Sequence, residues 1–468
     1  MKNFRTHVLN DSLQLCFHTP SDFDFITSEK ALKKQIRKSR LKLNSVLTYG
    51  KTNASPFYEF YLTVNATDIN TPDFAYHDSK QIGDQRIDII CVPLDDNEHS
   101  YIIDAKQILA SAYISDDFHS RNINIFEILD SHGGSNNYLD GYNALSTFPT
   151  YIESDSALKL QLSLTYASFI RNLNQYDSLL NQWEREKPKD EIIDQISSSF
   201  SSSTEEFTEL VDSIAASNKL IILNENHFYP QHRLVLTDLL HVLKSHGYNY
   251  LSLEALNIKF INDLNNGATL RLEHGFYTRE QNFKKLIDKA RELGFTLIAH
   301  EDTEESDNRE LAQASNLYTQ TFKADSTAKV IALVGIDHVR ESKNGKRWMA
   351  SYFEELYGIN PVTISQTHLN TYRHSFDKLQ FGTSDSLPDF YKHVDYHLIN
   401  TLLPSSSTSD STINYFNSTT AREFIRVFEK SDSLDYTDLV PYSCYEVSPN
   451  KACAIDIPNQ ADYILQKD

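Results

Sequence analysis

From about residue 205 the chain settles into a regular alternation of short apolar runs and amphipathic helical stretches. The apolar runs are "KLIILNE" (219–225), "YNYLSLEAL" (248–256), "FTLIAHED" (295–302), "AKVIALVGIDHV" (328–339) and "PVTISQT" (361–367). Helical periodicity occupies roughly 230–246, 279–293, 308–323 and 347–357, and the first two of these end at Gly247 and Gly294, where a helix C-terminal cap favours glycine. Strands that read as continuous apolar runs, separated by helices, predict a parallel sheet covered on both faces. The fold class expected is therefore α/β, a parallel sheet flanked by helices in the central-to-C-terminal half. A strand-and-helix N-terminal region precedes it and a small β-rich C-terminal extension follows.

At 468 residues the chain is long for a single core. Composition shifts divide it into a strand-rich region 1–105, a helical region and linker 106–204, the α/β region 205–403, and a Ser/Thr-rich linker with a β-rich tail, 404–468. In the first region "RIDIICV" (86–92) and "SYIID" (100–104) flank a turn-rich "PLDDNEH" and read as a hairpin. After the loop "SHGGSNNYLDGY" (131–142), Leu158, Leu162, Phe169, Leu173, Leu180 and Trp183 recur at helical spacing until Pro188, predicting one long helix. The serine run "SSSFSSSTEEF" (197–207) reads as a linker.

Ligands of open parallel sheets bind outside the carboxyl ends of the strands, so the residues at each strand exit matter most. The first exit carries Glu225 and His227, the second Glu254, and the third His300, Glu301 and Asp302. The fourth carries Asp337 and His338, and the fifth Gln366 and His368. Strand side chains alternate, so the third exit cannot turn all three residues inward; Glu301 is the expected one. Gly335 before His338 leaves room for a close approach to the backbone. His232 and Arg233 fall in the first turn of the next helix, and Arg309 opens the helix after the third strand. All three are candidates for substrate binding, Arg309 by holding an anion or pairing with Glu301.

Two histidines with two or three carboxylates suit a divalent metal, with His227, His338 and Glu225 as ligands. The same set without metal supplies a histidine base oriented by a carboxylate. His227 and His232 are five residues apart, so an HExxH helix is excluded, and GxSxG, GxGxxG and GxxxxGK[ST] are all missing. No nucleotide cofactor is expected.

The segment 219–370 resembles the superfamily of erythromycin esterases, haem-binding ChaN and the Tiki proteases. "NENH" (224–227) stands for its Gly-Glu-x-His motif, with Asn224 in the glycine position, and "GIDH" (335–338) matches its Gly-x-x-His motif. "ENHFYPQHR" looks like the ChaN-type pattern, and "LEAL" (253–256) matches the acidic residue of the second strand. The resemblance implies His227, His338, Glu225 and Glu254 as working residues. It implies one of three activities: a histidine-based esterase, a metal-dependent peptidase, or a haem binder. Haem would need an axial ligand such as Tyr229 or Tyr277 near the crevice. An interaction protein on the same fold is the remaining alternative.

A net charge of −20 repels phosphate backbones, so the expected partner is a small molecule or peptide and not nucleic acid. The basic run 33–42 alternates with leucines and reads as a solvated amphipathic face. No apolar run is long enough to span a membrane, and the N-terminus lacks a signal-peptide core. The sequence as given reads as cytoplasmic, or as an exported chain whose leader was removed; only export would let Cys444 and Cys453 form a disulfide.

Overall fold

The computed structural model describes residues 4–9, 15–20, 23–26, 46, 48–52, 58–67, 69, 75–94, 100–114, 125–148, 153–171, 173, 175–184, 188–303, 306–342, 345–403, 411–430, 435–459 and 462–468. The basic run 33–42 and most of the Ser/Thr-rich stretch after 404 lie outside them. The chain forms two compact units, 1–127 with 147–159, and 128–146 with 160–468. This division differs from the one read on sequence. Position 105 falls inside a helix, and the C-terminal strands share a unit with the parallel sheet.

The second unit is built on a seven-stranded sheet. In chain order its strands are Leu220–Glu225, Tyr250–Leu253, Thr296–Ala299, Val330–Gly335, Val362–Ser365, Gln380–Thr383 and Tyr396–Ile399. Across the sheet they run third, second, fourth, first, fifth, seventh, sixth, all parallel except the sixth. The five apolar runs are all strands, and both faces of the central ones are buried, as continuous apolar sequence requires. Leu220, Ile222, Val330 and Ala332 pack on Ala314, Leu317 and Phe353 from helices Arg309–Gln320 and Ala350–Tyr357. The alternate residues Ile221, Leu223, Ile331 and Leu333 are as deeply buried, so the opposite face is covered too. Helices Gln231–Ser245 and Gln281–Glu292 pack on each other and bury Leu236, Leu240, Leu286 and Ile287. Gly247 and Gly294 have φ of +83° and +73°, the left-handed turn expected after those helices.

Three local readings are corrected. The residues "SYIID" begin the helix Ser100–Ser111, whose Tyr101, Ala105, Ile108 and Leu109 repeat at helical spacing against a five-stranded antiparallel sheet. The hairpin partner of Gln85–Pro93 is instead Tyr76–Ile82, joined through Gly83 at φ +60°. The long helix to Pro188 divides into Glu153–Ser168 and Tyr176–Trp183, after a helix Tyr138–Thr147 that begins within the supposed loop. At the break, Phe169 and Ile170 donate to carbonyls three residues back, the tightened end of a helix. The serine run is structured: Phe200 is buried, Ser201 bridges to Phe381, and Ser203 caps the helix Thr204–Ser217 by accepting from the Glu206 amide.

The β-rich extension is confirmed as such. Ser411–Phe416 pairs with Ala452–Ile457, and Glu423–Glu429 pairs with Ser443–Val447 and Tyr463–Lys467. Ile425, Val427, Tyr445 and Ile455 form the core between these two small sheets. Cys444 and Cys453 are both free thiols. Among the described residues no helix is long and apolar enough to cross a membrane.

Candidate functional site

The third, second, fourth and first strands are consecutive neighbours, so their four exits form one continuous edge. Register sets Glu225 beside Gly335, while Leu253 pairs with both Leu333 and Ala299, which brings Glu254 level with Val334 and His300. Gly335 lies at the centre. A Cβ there would stand 3.1 Å from Glu254 Oε2, 3.3 Å from His227 Nε2 and 3.4 Å from His338 Cδ2. Residues up to 111 positions apart in sequence thus meet within 3.4 Å of one point. The sequence expected something to approach this glycine's backbone, and the Glu254 carboxylate does, accepting from the Gly335 amide.

Each histidine is held from behind by a buried carboxylate. His227 Nδ1 lies 2.9 Å from Glu225 Oε1, and its Nε2 faces the Gly335 point. Glu225 is only 2 % exposed and is gripped by Arg233, Nε to Oε2 at 2.7 Å and Nη2 to Oε1 at 3.2 Å. Burial alone would raise the Glu225 pKa, but the Arg233 charge and the His227 hydrogen bond outweigh it and hold the carboxyl below its usual range. Tyr277 stacks on the His227 ring at 3.9 Å between centroids.

His338 Nδ1 lies 2.6 Å from Glu310 Oε2, and Nε2 lies 3.3 Å from Glu254 Oε1. Burial disfavours its charge, but the hydrogen bonds to Glu254 and Glu310 prevail and raise the pKa to about 9. These two carboxylates favour the imidazolium at neutral pH, with Nδ1 donating to Glu310 and Nε2 in ion-pair contact with Glu254. Arg309 Nη1, 3.2 Å from Nε2, then has no acceptor there; the two cations are held together by Glu254 between them. Burial would raise the Glu254 pKa, yet the His338 hydrogen bond and charge hold it well below the usual carboxylate range. Arg309 also donates from Nε to Glu301 Oε1 at 2.8 Å and from Nη2 to the other Glu301 oxygen, the pairing expected from sequence.

His232 and Arg233 are corrected as substrate-binding candidates. Both have no exposed surface. Arg233 positions Glu225, Glu280 and the His227 carbonyl, while His232 accepts from the Asn226 amide. His300 is also fully buried, its Nδ1 2.8 Å from Ser252 Oγ. Gln366 is buried and donates to the Asn224 and His232 carbonyls. Asp337 and His368 face each other at 3.5 Å, outside the cluster just described. Asn224 keeps ordinary extended backbone and ties the fifth strand to the first, accepting from the Gln366 amide at 2.7 Å and donating to Thr367 Oγ1 at 2.7 Å. Sequence reasoning missed Glu310 and Glu280. Neither stands at a strand exit: one opens a helix and the other caps one.

The metal expectation meets a donor set that does not fit as arranged. Both Glu225 oxygens are engaged by Arg233, and the Arg309 guanidinium stands against His338 Nε2 and Glu254, where a cation would have to lie. Among the described residues no group of three His, Cys, Asp or Glu is arranged to hold a metal ion. The tyrosines considered for haem are engaged as well: Tyr229 is fully buried with its hydroxyl on Glu184, and Tyr277 lies flat over His227.

No protein-family model matches the chain, and no curated protein matches it. Among solved structures it is similar to the type III effector HopBA1, at 14% identity and TM-score 0.29 over 41% of this chain and 91% of that one. It is also similar to two structures described as bacterial protein toxins. One has 15% identity and TM-score 0.27 over 46% of this chain and 47% of that one. The other has 16% identity and TM-score 0.24, over 41% of this chain and 42% of that one. The chain thus spans under half the length of the two toxin structures. At these scores the likeness carries no argument about fold or activity.

Proposed function

We propose that the protein is a hydrolase of the erythromycin esterase, ChaN and Tiki-like superfamily, acting on an ester or peptide by metal-free acid–base chemistry. The observation that carries this reading is the His227–Glu225 pair, with Nδ1 anchored and Nε2 left facing the point where Glu254 and His338 converge. In this reading His227 Nε2 takes the proton from a water as its oxygen attacks the substrate carbonyl carbon. Glu225, fixed by Arg233, stabilises the imidazolium that forms. Arg309 Nη1, the guanidinium nitrogen without an acceptor, receives the developing oxyanion. As the carbonyl re-forms and the bond to the leaving group breaks, His338 supplies the proton that the leaving atom takes up. Glu254 holds His338 and Arg309 in place, and Glu301 braces Arg309.

The test is turnover on ester and peptide panels. His227→Ala is expected to lose at least about a hundredfold in kcat/KM, whereas His246→Ala, a half-buried histidine away from the strand exits and paired with Asp212, is expected to match the native protein. Unchanged turnover in His227→Ala removes the proposal. Activity is expected to survive EDTA; a loss restored by added metal would replace this reading with the metal-assisted one.

Gly335→Ala is a second check. Its φ is not in the left-handed region, so the backbone accepts alanine, but the methyl would press on Glu254, His227 and His338. Misplacing reacting groups by a fraction of an ångström is expected to lower kcat on the order of tenfold to a hundredfold with little change in Tm. Equal loss of both would mean that the glycine serves packing only.

A further inference from the structure

Away from the strand exits, a second group of polar side chains is buried without partners. Arg279 ends the short helix Tyr277–Arg279 and is 8 % exposed. One Nη2 hydrogen bond, to the Leu272 carbonyl at 3.2 Å, accounts for its polar contacts, and Nε and Nη1 are buried with no acceptor. No carboxylate pairs with it among the described residues. Its guanidinium lies 5.1 Å from the centre of the Phe276 ring. Phe276 in turn contacts Tyr166 at 5.8 Å and Phe169 at 5.7 Å, and Phe169 contacts Tyr138 at 5.0 Å. The Tyr138 and Tyr166 hydroxyls are likewise fully buried and without partners among the described residues. The sequence builds this box deliberately: Tyr166 packs on the backbone of the helix Tyr138–Thr147 at Gly141, where any Cβ would collide with the ring.

Four hydrogen-bond donor atoms, two of them on the one Arg279 guanidinium, are therefore buried among rings that touch one another, with no counter-charge on Arg279 among the described residues. Unpaired buried guanidinium is among the most costly arrangements a fold can hold. The neighbouring buried cation, Arg426, shows the usual remedy, since it is paired with Asp468 and with Asn136. Arg279 has no equivalent. We infer that the box formed by Arg279, Tyr138 and Tyr166 binds a monovalent inorganic anion of the halide class. One uncompensated positive charge calls for one negative charge; a phosphate dianion would leave an excess charge buried. Donors that are hydroxyl and N–H, with aromatic rings as walls, suit a small, weakly hydrated ion. Because Tyr277 lies two residues before Arg279, the bound anion also fixes the segment that places Tyr277 over His227.

The experiment is anomalous diffraction from crystals of the full chain grown in bromide, together with melting curves in chloride. The curves are taken at constant ionic strength, with gluconate, too large for the box, as the replacing anion. A bromide peak within hydrogen-bonding reach of Arg279 and either tyrosine hydroxyl is expected, with Tm rising by several degrees as chloride replaces gluconate. Tyr138→Phe and Tyr166→Phe are each expected to weaken the chloride dependence, and Arg279→Met to abolish it. Density that does not respond to bromide would show that waters satisfy these donors and would overturn the inference. A chloride effect unchanged in both tyrosine variants would overturn it too, and the bromide result needs no variant to fold.

Discussion

Arg233→Met is expected to cost about 3–5 kcal/mol of unfolding free energy, the scale for breaking a buried ion pair by removing one partner. The loss comes less from the missing contacts than from what remains. Glu225 and Glu280 are each 2 % exposed, and both are paired with this one guanidinium. Against a total of roughly 5–15 kcal/mol for a domain, such a loss would leave the protein marginal. Urea unfolding at pH 7 reads it directly. Arg233→Met/Glu225→Gln/Glu280→Gln is expected to recover much of the stability, because no buried charge is then left alone. Arg233→Lys is expected to fall between, since an ammonium cannot bond Glu225 through two nitrogens while reaching Glu280 and the His227 carbonyl. A loss below about 1 kcal/mol for Arg233→Met would mean that water reaches the carboxylates, contrary to the burial described.

How much of this could be read from the sequence depends on the kind of signal each residue gives. The strands Leu220–Glu225 and Val330–Gly335 announce themselves, because a strand buried on both faces must be apolar at every position. Gln380–Thr383 and Tyr396–Ile399 were not read as strands: each is four residues long and no apolar run marks it out. The strand-exit rule found Glu225, His227, Glu254, Glu301 and His338, since exits are fixed once the strands are known. It could not find Glu310, whose reach to His338 depends on how the helix Arg309–Gln320 seats on the sheet. Arg233 fails for a related reason. In sequence a charged residue in a first helical turn looks solvated, and only the tertiary positions of Glu225 and Glu280 make its burial tolerable. "SYIID" misled because a strand and a helix start share a short apolar run, and the deciding residues Ile108 and Leu109 lie beyond it.

Stability is expected to fall steeply below pH 6.5 and more gently above it, with separate groups responsible for each limb. His232, His300 and His397 have no exposed surface, and burial lowers each pKa from 6.5 to about 4. Between those values the unfolded chain binds the proton and the folded chain does not. Their contribution is thus complete above pH 6.5 and is lost as pH falls through about 4. Each is worth at most about 3 kcal/mol, so together they rival the whole stability of a domain. Glu225 and Glu254, whose pKa values lie below 4.5, add to the loss as pH falls below 4.5. His338 acts in the opposite sense. Its folded pKa of about 9 exceeds 6.5, so its contribution is complete below pH 6.5 and disappears as pH rises through 9. Urea midpoints measured from pH 4.5 to 9.5 are expected to peak near pH 6.5. His338→Gln should flatten the alkaline limb and His300→Gln should make the acid limb shallower. An alkaline limb that persists unchanged in His338→Gln would show that this histidine is not the charged partner of Glu254 and Glu310, and would remove the proton donor from the proposed mechanism.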